Sequence, residues 1–229
     1  MKGRVVIWGA SSHAMVVADI IRSRGEYEIA GFLDDVSPER AQAEFCGAII
    51  LGGAEQLDVL RRQDVDYLIC GFGNGPARLR LSALARARGY RLATAIHPGA
   101  TVAADVSVGA GTVIAAGAVV NPQTRLGESV IINTSAAVEH ECTIEDGAMI
   151  NTGARLGGRV TVGRAAWVEI GAIVASRRRI GAGSAVGAGS VVLADIPDGV
   201  LAYGTPARVI RDLGSQDRQD AADRREGRP

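Results

Sequence analysis

The sequence predicts two architectures in succession, an α/β domain with a parallel sheet and then a parallel β-helix. Two periods in the hydrophobic pattern carry this prediction. Residues 1–95 alternate short apolar runs with helical patterns, whereas aliphatic residues recur at every sixth position from Ile96 onwards. The composition agrees, because 30 of the 229 residues are Gly and only 4% are aromatic, against ~7% Gly in average proteins.

The first 95 residues are predicted to form alternating strands and helices. The strands are expected at 4–8, 28–33, 48–51, 67–70 and 91–95, and the helices at 13–24, 54–62 and 77–88. This alternation is typical of a parallel sheet with helices on its faces. Right-handed crossovers bring the loops that follow the strands to one sheet edge, where ligands bind.

The second part of the chain carries a six-residue repeat. From Ile96 to Val192, 17 consecutive positions in steps of six are all Ile, Leu or Val. The residue two places earlier is mostly small, and the residue that follows is often Gly, Asn or Glu. We expect three hexads per triangular coil and about five coils, with the aliphatics on the axis and the small residues beside them. The residues after the aliphatics are expected at corners with φ > 0.

Charge and cysteine content exclude several classes of protein. The 25 Lys and Arg balance the 25 Asp and Glu, which excludes a strong overall field for nucleic acid or an anionic membrane. Cys46, Cys70 and Cys142 form no C-x-x-C pair, which favours a reducing compartment over a disulfide scaffold. No run approaches the ~20 apolar residues of a membrane span. We therefore expect a cytoplasmic protein without nucleic-acid or membrane partners.

The order of the motifs resembles one enzyme family. A small α/β domain, a hexapeptide repeat and a G-x-P-A-[RK] motif near the end are similar to nucleotide-sugar acetyltransferases of the sialic-acid O-acetyltransferase type, which include the bacillosamine-pathway and perosamine N-acetyltransferases. The motifs are Gly9-Ala10-Ser11-Ser12-His13, Asp34-Asp35, Gly73-Asn74 with Arg78, Ile96-His97-Pro98, Ile132-Asn133-Thr134 and Val138-Glu139-His140-Glu141-Cys142.

This resemblance implies a division of the chain. Residues 1–95 are expected to form a Rossmann-like nucleotide-sugar-binding domain, and residues 96–195 a left-handed parallel β-helix that carries the acetyltransferase site. Residues 196–213 are expected to line the cofactor groove. Residues 214–229 are rich in Asp, Arg, Gln and Gly, which is typical of a disordered tail.

The resemblance also implies an activity. It points to a homotrimeric N-acetyltransferase that uses acetyl-CoA as co-substrate and acts on the amino group of a nucleotide-linked 4-amino-4,6-dideoxy sugar. O-acetylation of a sialic-acid-like sugar or another hydroxyl acceptor is an alternative. A non-catalytic nucleotide-sugar-binding scaffold is an alternative of another class.

His140 is the candidate general base. It lies at a corner or outward position between Glu139 and Glu141, and an imidazole can accept a proton near neutrality. By resemblance, His140 deprotonates the sugar amine at a subunit interface, and Glu141 raises its basicity. A solvated surface histidine and an acyl-enzyme on Cys142 are the alternatives.

The resemblance assigns the acceptor to the first domain. The Gly-containing loop precedes a helix whose N–H groups suit a diphosphate, and two aspartates after the second strand suit a base or ribose. Plain turns are the alternative reading of both segments. The candidate substrate-binding residues are Gly9, Ala10, Ser11, Ser12, His13, Asp34, Asp35, Gly73 and Asn74.

The resemblance places the cofactor between neighbouring β-helices. Met149 stands where many relatives carry a histidine, and Arg178 occupies a normally small inward position, so a local bulge is expected there. Arg177 and Arg179 are expected to meet the phosphates of coenzyme A, or else to form a solvated basic corner. The candidate cofactor-binding residues are Met149, Ile170, Arg177, Arg179, Ala188 and Gly189.

Two further expectations concern single residues of the repeat. Only His97 and His140 lie in it, too few for the three-histidine metal site of the γ-class carbonic anhydrases, so no metal is expected. Trp167 is the only aromatic residue between Ile96 and Val192. It precedes inward Val168, and we expect it to face outward, toward a neighbouring subunit.

Overall fold

The computed structural model describes residues 2–214. The predicted disordered tail, residues 214–229, lies outside the described residues except for Gly214. Within 2–214, no helix has the length and apolar character needed to cross a membrane.

The N-terminal domain is built around a four-stranded parallel sheet with the strand order β2-β1-β5-β6. Two turns of 3-10 helix, at Pro38–Arg40 and Ala54–Gln56, complete the domain. The other elements are β1 (Gly3–Trp8), α1 (Ser12–Arg24), β2 (Tyr27–Leu33), β3 (Glu44–Phe45), β4 (Ala48–Ile49), α2 (Leu57–Arg62), β5 (Tyr67–Cys70), α3 (Gly75–Ala87) and β6 (Arg91–Leu92).

One predicted strand of this domain is wrong. Residues 48–51 do not join the parallel sheet as a full strand, because β4 pairs antiparallel with β3 in a small hairpin. The cause is the turn at Cys46 and Gly47, whose φ angles are 47° and 68°, the geometry that reverses a chain between two short strands. Residues 50–52 still run beside the end of β2, through a parallel bridge from Ile50 to Phe32 and backbone hydrogen bonds to Phe32 and Asp34.

The second domain is a β-helix of two-residue strands that stack every 18 residues. On one face the register runs Ile96, Ile114, Ile132, Ile150, Val168 and Val186. The strands are β7 (Ala95–Ile96), β8 (Thr101–Val102), β9 (Ser107–Val108), β10 (Val113–Ile114), β11 (Val119–Val120), β12 (Arg125–Leu126), β13 (Ile131–Ile132), β14 (Ala137–Val138), β15 (Thr143–Ile144), β16 (Met149–Ile150), β17 (Arg155–Leu156), β18 (Thr161–Val162), β19 (Trp167–Val168), β20 (Ile173–Val174), β21 (Arg179–Ile180), β22 (Ala185–Val186) and β23 (Val191–Val192).

The strands form three parallel sheets, which are the faces of the coil. Face 1 contains β7, β10, β13, β16, β19 and β22, face 2 contains β8, β11, β14, β17, β20 and β23, and face 3 contains β9, β12, β15, β18 and β21. The C-terminal segment adds β24 (Val200–Gly204), parallel to β22, and β25 (Ala207–Asp212), antiparallel to β24. Within residues 196–213, Ile196 bridges to Ile180 of face 3, and the two strands extend face 1 by one level and close it with a hairpin.

The predicted inward columns are confirmed. The axial aliphatics from Ile114 to Val192 are at most 3% exposed, and small residues pack beside them. Where that small residue carries a hydroxyl, the hydroxyl joins neighbouring coils. Thr112 Oγ1 donates to the Gly127 carbonyl at 2.9 Å and accepts from the Val130 N–H at 3.1 Å. The buried hydroxyl thus has hydrogen-bond partners that offset its desolvation.

The predicted position of the left-handed residues is wrong. From 111 to 189, φ is positive at the residue three places before each inward aliphatic, as at Glu141 (57°) and Arg159 (61°). The glycines that follow the aliphatics are needed for close approach instead. A Cβ on Gly163 would lie 2.6 Å from the backbone nitrogen of Ala182 in the next coil, where no side chain fits.

The structure corrects the bulge expected at Arg178. The pairing of Thr161 with Arg179 and of Val162 with Ile180 is regular. The Arg178 side chain is partly exposed and its Nη1 lies 3.6 Å from Asp195. A long side chain that reaches solvent leaves the backbone ladder intact.

Trp167 points away from the coil axis but is not left for a neighbouring subunit. It is 8% exposed and packs against Ala185 and Leu213 of its own chain. The C-terminal segment covers this ring. The prediction that Trp167 faces away from the axis is therefore confirmed, but its contacts are with its own chain.

The N-terminal domain packs on face 1. Outward residues of that face, Ala95, Val113 and Ile131, are at most 4% exposed and belong to one apolar cluster with α1. This packing decides which corners of the β-helix lie near the N-terminal domain.

Candidate functional site

A pocket of about 460 Å³ opens at the carboxyl ends of β1 and β2, with Asn74 and α3 on its other side. Its size is that of a small-molecule site. Six of the nine predicted substrate-binding residues line it: Gly9, Ala10, Ser11, Asp34, Asp35 and Asn74. Of the other three, Ser12 and Gly73 are next to lining residues in the chain, and His13 lies two residues after the lining Ser11.

The N-terminus of α1 lies at this pocket. Ser11 is the N-cap residue, but its side chain accepts no capping hydrogen bond from the helix, and its Oγ donates to the Gly71 carbonyl at 3.3 Å. The first N–H groups of α1 therefore have no side-chain cap. An uncapped helix N-terminus favours an anion.

Asp34 and Asp35 hold the pocket wall together. Asp34 Oδ1 accepts from the N–H groups of Val36 and Ser37, at 3.0 and 3.2 Å, and its Oδ2 accepts from Arg40 at 3.2 Å. Asp35 Oδ2 accepts from the Trp8 indole N–H at 2.6 Å and Oδ1 from the Ala54 N–H at 2.8 Å. Every carboxylate oxygen of the pair already has a donor, so their first role is to shape the wall.

The facing wall begins at Asn74. Its side-chain oxygen caps α3 by accepting from the Ala77 N–H at 2.9 Å. Gly73 is placed near the β-helix, because a Cβ on it would lie 3.6 Å from Met149 Sδ. The loop that follows β5 and the β-helix therefore meet at Gly73 and Met149.

The buried Arg78 side chain holds the loop of Phe72 and Gly73 in place. Its guanidinium is 1% exposed and donates to the carbonyls of Phe72, Gly73 and Gly147, as well as to Ser129. Burial lowers the pKa of Arg78 to about 10. Phe72 and Gly73 belong to the loop and Ser129 and Gly147 to the β-helix, so one side chain fixes the loop to the β-helix.

His13 is a buried base beside this cation. Its Nε2 is inaccessible and has no hydrogen-bond partner among the described residues, although the residue as a whole keeps partial exposure. Burial first, and then the charge of Arg78, lower the pKa of His13 to about 4. The imidazole is therefore neutral at pH 7.

His140 and Glu141 lie together at a corner between faces 2 and 3. His140 Nδ1 is 3.0 Å from Glu141 Oε2, and the same oxygen accepts from Arg159 Nε at 2.9 Å. These contacts, from Arg159 first and His140 second, lower the pKa of Glu141. An ionised carboxylate at Nδ1 fixes the tautomer in which Nε2 carries the lone pair.

Gly158 makes room for the imidazole. A Cβ at this position would lie 2.6 Å from His140 Nε2, so a side chain here would displace the ring. Gly158 and Arg159 were not predicted as site residues. Both lie 18 residues after the pair they contact, and the 18-residue register of the coil was the available signal.

Cys142 points into the coil. It is 0% exposed, and its thiol contacts the Gly157 carbonyl at 3.3 Å. Burial raises the pKa of the Cys142 thiol. A buried thiol with a raised pKa is a poor nucleophile, which disfavours the acyl-enzyme alternative.

The predicted cofactor-binding residues occupy two corners. Ile170, Ala188 and Gly189 are exposed between faces 1 and 2, where the Gly189 N–H donates to the Ile170 carbonyl at 2.9 Å. Arg177 and Arg179 lie at or beside the corner of His140, and Arg179 is paired with Asp198 at 2.9 Å. Met149 is half-buried against the N-terminal domain instead.

Two pocket cations were missed in the sequence. Arg40 lines the pocket and contacts Asp34 and the Ala10 carbonyl. Arg80 also lines it, is exposed, and makes no ion pair within residues 2–214. No motif includes either arginine. The predicted helix over 77–88 does place Arg80 one turn after Ala77, on the same side of the helix.

The pocket and His140 do not meet within one chain. The N-terminal domain covers face 1, whereas His140 follows β14 of face 2 and precedes β15 of face 3. In a triangular coil, the corner between faces 2 and 3 lies opposite face 1. No group of His, Cys, Asp and Glu within residues 2–214 has the arrangement of a metal site.

Known proteins resemble the chain over both domains. Residues 4–83 match the family described as PglD N-terminal domain. The chain is 38% identical to GDP-perosamine N-acetyl transferase from Caulobacter crescentus, with a TM-score of 0.87 over 92% of this chain and 98% of that one. That protein was crystallised with CoA and GDP-perosamine, as variants in which a histidine is replaced by alanine or asparagine.

Two further structures are similar. The acetyltransferase domain of PglB from Neisseria gonorrhoeae, solved with acetyl coenzyme A, is 34% identical, with a TM-score of 0.85 over 92% of this chain and all of that one. WeeI from Acinetobacter baumannii shares the fold, at 22% identity and a TM-score of 0.77 over 91% of this chain and all of that one. No curated protein matches the sequence. These structures confirm the predicted order of a parallel-sheet domain and a β-helix.

Proposed function

The chain belongs to the family of nucleotide-sugar acetyltransferases that includes perosamine N-acetyltransferase and the PglB acetyltransferase domain, and on this basis we propose its acceptor and its mechanism. The protein is an acetyl-CoA-dependent sugar acetyltransferase. The proposed acceptor is the amino group of a nucleotide-linked 4-amino-4,6-dideoxy sugar. The observation that carries the mechanism is the His140–Glu141 contact of 3.0 Å.

His140 is the general base of the proposed reaction. The sugar amine attacks the thioester carbonyl of acetyl-CoA, a C–N bond forms, and Nε2 of His140 takes the proton that the nitrogen loses. When the C–S bond breaks, the imidazolium returns that proton to the departing thiolate. Glu141 stabilises the imidazolium between the two steps.

The N-terminal pocket binds the nucleotide of the acceptor. The uncapped N-terminus of α1 takes the diphosphate, with Gly9, Ala10, Ser11, Ser12 and His13 around it. Asp34 and Asp35 shape the wall on the side of the base or ribose. Gly73 and Asn74 direct the sugar toward the β-helix.

The active site is completed by a second subunit of a homotrimer. The pocket lies over face 1 of its own β-helix, whereas His140 lies at the opposite corner, so the acceptor of one chain reaches the histidine of another. Face 2 joins the corner of Ile170, Ala188 and Gly189 to the corner of His140. Its outward Ile173 is 46% exposed, which suits the apolar arm of acetyl-CoA between two copies.

The remaining predicted cofactor contacts are proposed to lie along the groove between two subunits. Arg177 is the phosphate contact that the structure favours, because it is exposed and makes no ion pair within the described residues. Arg179 contributes after it releases Asp198, and Met149 meets the reacting end near Gly73.

Subunit complementation tests the shared site. His140→Ala removes the base, and Ala77→Phe fills the pocket, so each homotrimer is expected to be inactive. Random assortment of the two co-expressed chains restores about a quarter of the sites if neighbouring subunits supply pocket and base. Two folded chains whose mixed trimers stay inactive would contradict the shared site, and an active His140→Ala homotrimer would contradict the base.

The product distinguishes N- from O-acetylation. Incubation of the protein with acetyl-CoA and GDP-, UDP- and dTDP-linked amino sugars is expected to add one acetyl group that resists mild alkali, as an amide does. An alkali-labile product would show an ester. Binding of a nucleotide sugar without turnover would support a scaffold instead.

A further inference from the structure

Arg159 shares the carboxylate that serves the candidate base. Glu141 Oε2 lies 3.0 Å from His140 Nδ1 and 2.9 Å from Arg159 Nε. A single oxygen therefore faces an imidazole and a guanidinium at once. The Arg159 backbone N–H also donates to the His140 carbonyl at 2.9 Å, which fixes the two residues in consecutive coils.

The stacking of the coils explains why these three groups meet. Glu141 and Arg159 occupy equivalent corner positions one coil apart, both with a left-handed backbone. His140 and Gly158 precede them in the same two coils. Because Gly158 has no side chain, the ring and the guanidinium approach the carboxylate from the same side of the corner without collision.

A guanidinium on this oxygen has two opposing effects. It restrains Glu141, and through Glu141 it orients the imidazole. It also neutralises part of the charge that would favour a protonated His140, since a nearby cation disfavours a second positive charge. The carboxylate that faces His140 is therefore held in place by Arg159 and partly neutralised by it.

We propose that Arg159 is a positioning residue of the acetyl transfer, which holds the Glu141 carboxylate on His140 and limits how strongly that carboxylate stabilises the imidazolium. This inference rests on the proposed role of His140. None of the sequence motifs named above includes Arg159, and its effect follows from the 18-residue stacking alone.

The other groups around His140 are few. In its own coil it lies between Glu139, which is exposed, and Glu141, and the inward Cys142 approaches its carbonyl oxygen. In the preceding coil the equivalent positions are Pro122 and Gln123, which carry no charge. In the following coils they are Gly158 with Arg159, and Ser176 with Arg177. Arg159 is thus the nearest cation to Glu141 in the described chain.

The experiment is the pH dependence of kcat/KM for the acceptor in the intact protein. Arg159→Met keeps the length of the side chain and removes its charge. We expect the acidic limb of the profile to move to higher pH by about half a unit, the size of an exposed ion-pair effect. Glu141→Gln is expected to move the limb in the opposite direction, and Arg159→Lys to fall between wild type and Arg159→Met.

A matched control and a separate variant make the outcome decisive. Arg125→Met removes an exposed arginine from face 3 two coils earlier and should leave the limb unchanged. If His140→Ala is inactive while Arg159→Met keeps the wild-type limb, the role of Arg159 is refuted and the base assignment stands. If His140→Ala retains activity, the base assignment itself fails.

Discussion

Arg78 Nε, on α3 of the N-terminal domain, donates to the Ser129 carbonyl of the β-helix at 3.0 Å. The guanidinium is 1% exposed and its other donors also reach backbone carbonyls on both sides of the boundary. No carboxylate within residues 2–214 forms an ion pair with it. A buried cation that bonds only to carbonyl oxygens is costly to remove singly, because several acceptors lose their donors together.

We therefore expect Arg78→Met to lower the free energy of unfolding by about 2–4 kcal/mol. The matched control is Arg80→Met on the same helix, where the side chain is exposed and the expected change is below about 0.5 kcal/mol. Urea unfolding followed by circular dichroism measures both. Equal midpoints for the two variants would show that the buried guanidinium contributes nothing to stability.

His13 predicts a specific pH dependence of stability. Its folded-state pKa of about 4 lies below the unfolded value of 6.5, so the unfolded chain binds the proton more readily. The stabilisation is complete above pH 6.5 and is lost as the pH falls from 6.5 toward 4, by at most about 3 kcal/mol. His13→Gln should flatten the melting temperature over this range. A slope identical to that of wild type would remove His13 as its origin.

Gly158→Ala should impair catalysis while the fold is retained. The added Cβ would lie 2.6 Å from His140 Nε2, so the ring must turn away from its productive position, and a displacement of this size costs about 100-fold in kcat. Gly153→Ala is the control, because nothing lies within 4 Å of the Cβ position there. In that variant only the stability should fall, because an alanine is strained at the left-handed φ of residue 153. Wild-type kcat in Gly158→Ala would mean that the ring is not fixed by this contact.

Cys142→Ala should remain active. The thiol is buried against the Gly157 carbonyl and its pKa is raised, so it cannot carry an acetyl group at neutral pH. We expect kcat within about threefold of wild type and a small loss of stability from the lost packing. Mass spectrometry of the protein mixed with acetyl-CoA should show no acetylated Cys142, and an adduct there would reinstate the covalent route.

Arg177→Glu should weaken acetyl-CoA selectively. If Arg177 meets a phosphate, reversal of its charge raises the KM for acetyl-CoA about tenfold, and the effect shrinks with added salt. Arg179→Glu should also lower the melting temperature, because it places a carboxylate beside Asp198. An unchanged KM for acetyl-CoA in both variants would leave these arginines as a solvated basic corner.

The sequence predicts the β-helix well because one residue class repeats at one spacing. The axial aliphatics satisfy the same packing requirement in every coil, so the pattern is local and regular. The left-handed corner residues were misplaced since two different demands, positive φ at Glu141 or Arg159 and close approach at Gly163, both select small or polar residues. Composition alone does not separate them.

The site was predicted only where a motif marks it. His140 and Glu141 are neighbours in sequence, so their contact was foreseeable. Arg78 reaches Gly147 across 69 residues, and the desolvation of His13 depends on how two domains pack. Neither follows from a local pattern, because the energetic terms arise from burial against a distant part of the chain.

The stacking of corners also sets a rule for changes in chain length. Removal of six residues between His140 and Gly158 would leave every remaining inward position aliphatic, and the coil could still close. It would also advance each later residue by one face, so Arg159 would leave the corner of Glu141, and His140 would lose both the space beside Gly158 and the restraint on its carboxylate partner. Only insertions or deletions of whole turns, 18 residues at a time, keep the side chains of each corner in register as well as the fold.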